Sequence, residues 1–117
     1  MKAFVKENTQ LMRSSFMDFG WGNGYVCVTK DSRLYGMSYS DIHKEFRINV
    51  NGGLTFSEYA KDLLPKWSKE IPKGYEDSWV IGFDTCHSWD TLEQWDINSV
   101  FNEALSLKQQ LEKQIQL

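Results

Sequence analysis

The sequence predicts an α+β protein in which a small, mostly antiparallel sheet packs against a long C-terminal helix. Two stretches carry that expectation. SWVIGFD at 78–84 contains a run of apolar residues too continuous for a strand with one solvated face, and so reads as a buried strand in mid-sheet. From residue 97 onward, Ile97, Val100, Phe101, Ala104, Leu105, Leu111 and Ile115 trace a helical stripe interrupted by Lys108, with Asp96 or Asn98 placed to cap. A helix over 98–115 extends roughly 25 Å at about 1.5 Å per residue, enough to cross one face of a small sheet. With 117 residues, 41% hydrophobic and 25% charged, the chain fits one domain (1–117) that orders without metal or disulfide support. It divides into an N-terminal helix or arm (1–19), a sheet-rich body (20–95) and the C-terminal helix (96–117).

Taken in order, residues 1–20 place Phe4, Leu11, Met12, Phe16, Met17 and Phe19 at mixed spacing, which fits a short amphipathic helix over 7–17 or an arm that docks on a partner. GWGNG at 20–24 predicts a turn that ends it. GYVCVTK at 24–30 alternates with the period of a half-buried strand, and DSRLYG supplies turn chemistry. Ser40 before Asp41 suits the N-cap of a short helix over 40–46. FRINVNGGLTF at 46–56 alternates Phe46, Ile48 and Val50 against polar residues, breaks at Gly52-Gly53 as a hairpin turn or a bulge, and resumes with Leu54 and Phe56. Residues 57–77 are polar and limited by Pro65 and Pro72, a surface excursion with at most a short helix.

A net charge of −3 and the absence of any Lys/Arg cluster argue against duplex nucleic acid as a partner. No apolar stretch approaches a membrane span, and MKAFVKENTQ lacks a signal-peptide core, so the expected location is cytoplasmic. Cys27 and Cys86 form neither a CxxC pair nor a secreted scaffold; reduced thiols are the default, although a bridge would be feasible from neighbouring strands. The 15% aromatic share is high, and rings beyond those needed for the core are available for recognition.

Three constellations hold chemistry. In IGFDTCHSWD at 81–90, Asp84, His87 and Asp90 are spaced by three, and with His43 or Glu93 as an extra donor they are weak candidates for a divalent metal. As an enzyme, Asp84 or His87 would serve as base beside Asp90. Otherwise His87 fixes a turn by bonding Asp84 or a backbone carbonyl. Zinc on Cys27, His43, Cys86 and His87 is disfavoured because adjacent Cys86 and His87 would have to converge on one ion. Cys86 with His87 fails as a nucleophilic pair, since neighbours in extended chain point apart. Cys27 with His87 requires two strand ends to meet, and Cys27 reads better as a small buried hydrophobe. In NVNGGLTFS, Gly52 and Gly53 let backbone approach a ligand, with Asn49, Asn51, Thr55 and Ser57 as neutral donors and acceptors. In GWGNGY, Trp21 is either an aromatic platform or a plug for the sheet end.

Taken together, GNGYVCVTKDSRLYG, INVNGGLTFS and WVIGFDTCHSWD, followed by a final helix, resemble a family of small uncharacterised bacteriophage and prophage proteins with NV(H/N)GGLTF-like and WxxGFDxxHxxD-like segments. The resemblance spans roughly residues 20–113 and keeps the blocks in order. It implies a phage accessory protein and transfers no activity. Family members often carry His where this chain has Asn51, which favours polar ligand contact here over a two-histidine site.

The expected function is therefore binding rather than catalysis, with no cofactor: a small polar, nucleotide-like or similar ligand, or a host protein, held by Trp21, Asn51, Gly52, Gly53, Thr55, Asp84 and His87. The alternatives are a small metal-assisted hydrolase using Asp84, His87 and Asp90, and a structural homodimer built on the long helix.

Overall fold

The computed structural model describes residues 1–8 and 19–115. Among them, β1 (Lys2–Glu7), β2 (Gly22–Val28), β3 (Phe56–Tyr59) and β4 (Trp79–Phe83) form an antiparallel sheet in the order β1-β2-β4-β3. The helices are α1 (Tyr39–Glu45), the single turn α2 (Ala60–Leu63) and α3 (Ile97–Ile115). The predicted α+β architecture is therefore present, with β4 in the sheet interior and α3 lying across β1 and β2. No helix among the described residues is long and apolar enough to cross a membrane.

Strand alternation sorts the core into two layers. Ala3, Val26, Val28, Trp79, Ile81 and Phe83 meet Val100, Ala104, Leu107 and Leu111 of α3, together with Ile42, Phe46, Val50 and Leu54. On the opposite face, Phe4, Tyr25, Cys27 and Val80 are covered by Ala60, Ile71, Leu63, Leu64 and Trp67 from the excursion after β3. Tyr25 is the hub of that layer: Phe4 stacks on it at 5.1 Å, and Phe56 and Trp67 meet it edge-on at 5.3 and 5.1 Å. Such ring pairs contribute about 0.5–1.5 kcal/mol each beyond the area they bury.

Several sequence expectations need correction. The N-terminal residues Lys2–Glu7 are strand, so a helix over 7–17 does not include Glu7, and residues 9–18 lie outside the described residues. GWGNG is not a turn: Gly22, Asn23 and Gly24 belong to β2, where the glycines answer close packing. A Cβ on Gly24 would overlap the Phe83 ring opposite, and one on Gly22 the Lys6 carbonyl. Gly82 does the same for Tyr25, so the adjacent cross-strand pairs Gly24–Phe83 and Tyr25–Gly82 each match a glycine with an aromatic. β2 is buried on both faces rather than one.

The cap of α1 is Ser38, whose hydroxyl accepts from the Asp41 N–H at 3.1 Å, and not Ser40. Asp96 caps α3 through the Ser99 N–H at 2.8 Å, an interaction that holds its carboxyl below the usual range. The stripe on α3 is displaced: Leu107 is buried, while Ile97, Phe101 and Leu105 are exposed. The polar excursion starts three residues late, because Phe56–Tyr59 is β3 and its edge pairing with β4 tolerates Ser57 and Glu58.

The largest departure is 46–51, which alternates like a strand but has no strand partner among the described residues. It lies along α3 and bonds to side chains instead. The Gln110 amide accepts from the Asn49 N–H at 2.7 Å and donates to the Asn49 carbonyl at 2.9 Å; Gln114 does the same for Arg47, and Glu103 accepts from the Asn51 N–H at 3.0 Å. The match is geometric, since four residues of helix advance about 6 Å and two residues of strand nearly 7 Å.

Candidate functional site

At its end the Asn51 segment turns. The Gly53 N–H bonds the Val50 carbonyl at 2.9 Å, and Gly52 and Gly53 take φ of +70° and +80°, which only glycine adopts without strain. A Cβ at Gly52 would overlap the His87 imidazole. Gly53 faces the other histidine, His43, whose Nε2 accepts from the Leu54 N–H at 2.8 Å. His43 is thus a backbone anchor for the glycine turn. The turn enters β3 through the Thr55 N–H bond to the Gly82 carbonyl at 3.0 Å, a single-strand approach to the sheet rather than a two-strand hairpin.

The loop after β4 folds around Asp90. Its side chain is buried, and one carboxylate oxygen accepts from the His87 backbone N–H at 2.9 Å and lies 2.7 Å from His87 Nδ1. The other accepts from Asn51 Nδ2 at 3.0 Å. A carboxylate in this position accepts the Nδ1 proton and fixes the ring, which directs Nε2 toward Asp84. Asp84 stands 3.6 Å from Nε2 and is itself held by the Thr55 hydroxyl at 2.9 Å and the Cys86 N–H at 3.0 Å. Trp89 stacks on the His87 ring at 4.5 Å, its planes within 10°, and is 62% exposed.

Asn51, Gly52, Thr55, Asp84, His87 and Asp90 therefore form one connected cluster. The glycine-rich N-terminal block joins it from the far side: Thr85, buried, bonds Asn23 Oδ1 and the Gly22 carbonyl, and the Gly20 N–H bonds the Thr85 carbonyl. Trp21 itself packs against the α3-side core and is tied through its N–H to the Trp95 carbonyl at 2.7 Å. Gly53 points away from this cluster toward His43.

Beside the cluster opens a cleft of about 670 Å³ lined by Asn49, Val50, Asn51, Gly52, Trp95, Glu103, Ser106 and Gln110. Its volume is ordinary for a small-ligand site, but its lining is unusually polar. The Asn49 side chain, the Ser106 hydroxyl, which accepts from Gln110 Nε2 at 3.2 Å, and the Glu103 carboxylate supply its polar groups. Sequence reasoning missed Trp95, Glu103, Ser106 and Gln110. The signal was a second stripe on the helix, Glu103, Ser106, Gln110 and Gln114, all polar at helical spacing.

Cys27 lies at the other end of β2, opposite Val80, so it does not meet His87; burial pushes its thiol up to about 11. Cys27 and Cys86 are not joined in a disulfide, and the Cys86 thiol donates to Asn8 Oδ1 at 3.6 Å. Among the described residues no group of three His, Cys, Asp or Glu side chains is arranged to hold a metal ion. Asp90 explains part of this, because its oxygens already face N–H donors. Burial chiefly raises the Tyr25 hydroxyl, to about 12, with the nearby Asp84 carboxylate adding to the rise and Asn23 opposing it. Comparison with known proteins returns no matching family model, no matching curated protein and no matching solved structure.

Proposed function

We propose that this protein acts by binding, and that its ligand is a small, neutral, hydroxyl- or amide-rich molecule seated in the cleft between α3 and the 49–52 turn, next to His87. The observation that carries the reading is the lining of that cleft: neutral amides and a hydroxyl, one carboxylate, one indole, and neither Lys nor Arg. A saccharide or a nucleoside suits such a surface, with hydroxyls meeting Asn49, Ser106 and Glu103 and a ring against Trp95. A nucleotide suits it poorly, because its phosphate would face Glu103 with no cation in the lining. In a phage or prophage accessory protein, the setting the resemblance implies, such binding serves host takeover or counter-defence by withholding a small molecule.

The test is a binding panel of mono- and oligosaccharides, nucleosides and nucleotides, read by calorimetry and thermal shift. Neutral compounds bind, and Asn49→Ala, which leaves the Asn49 backbone bonds in place, weakens them about tenfold. Binding restricted to phosphorylated compounds, or indifferent to Asn49→Ala, rejects the reading.

One observation favours hydrolysis as the second reading. A buried carboxylate 2.7 Å from His87 Nδ1 is how a general base is oriented, and Nε2, 3.6 Å from Asp84, is the atom that would take a proton. Turnover in an ester and glycoside panel that His87→Gln abolishes while the variant stays folded would favour it, and no turnover would remove it.

A further inference from the structure

At the end of the sheet away from His87, a cleft of about 370 Å³ opens between Thr29–Asp31, which follow β2, and Gly74–Ser78, which lead into β4. Ser78 lines it and is itself only 1% exposed, so it forms the floor. Its backbone is fully engaged: the N–H bonds the Tyr75 carbonyl at 3.1 Å, and the carbonyl accepts from the Ala60 N–H at 2.9 Å. Its hydroxyl has no hydrogen-bond partner, the one buried side-chain polar atom of which that is true among the described residues. Alternation continued back from Val80 puts this side chain on the face that carries Cys27 and that Tyr75 packs against. A buried hydroxyl left unpaired is costly, and one that nothing holds is free to turn among its staggered positions toward a partner delivered by the cleft.

The rim above this floor is charged. Asp31 and Asp77 bring two carboxylates to the lining, against the one ammonium of Lys30. The Thr29 hydroxyl donates to Asp31 and holds its carboxyl below the usual range, so it is ionised at neutral pH. Between rim and floor stands the half-buried Tyr75 ring. We propose that this cleft is a second binding site, for a small amine whose body ends in a hydroxyl, with the ammonium at Asp31 and Asp77, the body on Tyr75 and the hydroxyl on Ser78. A carboxylate bonds an ammonium more strongly than it bonds a neutral donor, and a cation beside a tyrosine ring gains further. The volume lies at the small end of the range for ligand sites, which suits a compact molecule. The two clefts thus differ in chemistry, and this site stands or falls independently of the one beside His87.

Four matched compounds test it on the nitrogen-15-labelled full chain. Tyramine carries all the features, phenethylamine lacks the hydroxyl, tyrosol lacks the charge, and 4-hydroxyphenylacetate reverses it. Tyramine is expected to shift the Thr29–Asp31 and Gly74–Ser78 amides and to leave Asn49–Gly53 in place. Phenethylamine binds there about fivefold more weakly, tyrosol about tenfold more weakly, and 4-hydroxyphenylacetate does not bind. In Ser78→Ala the two amines bind alike, while the unfolding midpoint is not lowered, because the hydroxyl gives up no partner. Asp77→Asn, at an exposed position, keeps the fold and weakens both amines. No shift at this cleft with either amine, tyrosol or 4-hydroxyphenylacetate bound as tightly as tyramine, a preference for tyramine that survives in Ser78→Ala, or amine affinity indifferent to Asp77→Asn overturns the proposal.

Discussion

Asp90 receives the His87 backbone N–H, the His87 ring and the Asn51 amide at one buried carboxylate, so three groups from two loops lose their partner together if it is removed. Asp90→Ala should cost about 3 kcal/mol, the range for uncovering buried donors at once, whereas Asn51→Ala should cost about 1 kcal/mol. Urea unfolding measures both, and an Asp90→Ala midpoint equal to wild type would contradict this role. The alkaline limit also belongs to single residues. Cys27 and Tyr25 have folded pKa values near 11 and 12 against ordinary values of 9.0 and 10.0. Both are raised, so the stability they contribute is complete below pH 9, declines as pH rises through 9–11 for Cys27 and 10–12 for Tyr25, and amounts to about 3 kcal/mol each. Cys27→Ala should remove the earlier part of that decline in unfolding curves recorded against pH. Sequence pointed to Asp84, His87 and Asp90 by their clustering, but spacing in a loop cannot tell which carboxylate turns inward. That depended on Asn51 arriving from another part of the chain.

At the scale of elements, the segment 46–51 shows where local pattern misleads. Its alternation is real, since Phe46 and Val50 are buried and Arg47 and Asn49 are not, yet its edge is satisfied by a helix. No rule of strand pairing could anticipate glutamines spaced by four residues acting as a strand's partner. Gln110→Ala should cost about 1 kcal/mol and speed hydrogen exchange at the Asn49 N–H while leaving the β4 amides protected. Unchanged exchange at Asn49 would mean the amide pair does not hold the segment. The glycines of β2 misled for a related reason. Read locally, GWGNG is turn chemistry; in the sheet, Gly24 and Gly82 make room for Phe83 and Tyr25 across the strands. By contrast, β4 and α3 were legible because each is long, continuously patterned and buried by its own composition. Only the outer limit of the α3 stripe was misplaced, where Ile97, Phe101 and Leu105 continue the helical period past the part the sheet covers.

Across the whole molecule, the blocks separated in sequence meet at one end of the sheet. β4 carries Asp84–Asp90 out beside the N-terminal end of β2, and the 47–51 segment runs along α3 to the same place. The opposite end of the sheet has a cleft of its own, about 370 Å³, lined by Thr29, Lys30, Asp31, Gly74, Tyr75, Asp77 and Ser78. There the buried Ser78 hydroxyl has no hydrogen-bond partner among the described residues. The two clefts give a direct contest. Nitrogen-15-labelled full chain, titrated with the neutral saccharides and nucleosides of the binding panel and followed by amide and indole shifts, assigns the ligand to one end of the sheet. The account predicts changes at Asn49–Gly53, at the Trp95 indole and at Glu103–Gln110, with His87 and Trp89 following as neighbours. Shifts confined to Thr29–Asp31 and Gly74–Ser78, or no shifts with any neutral compound, would contradict it.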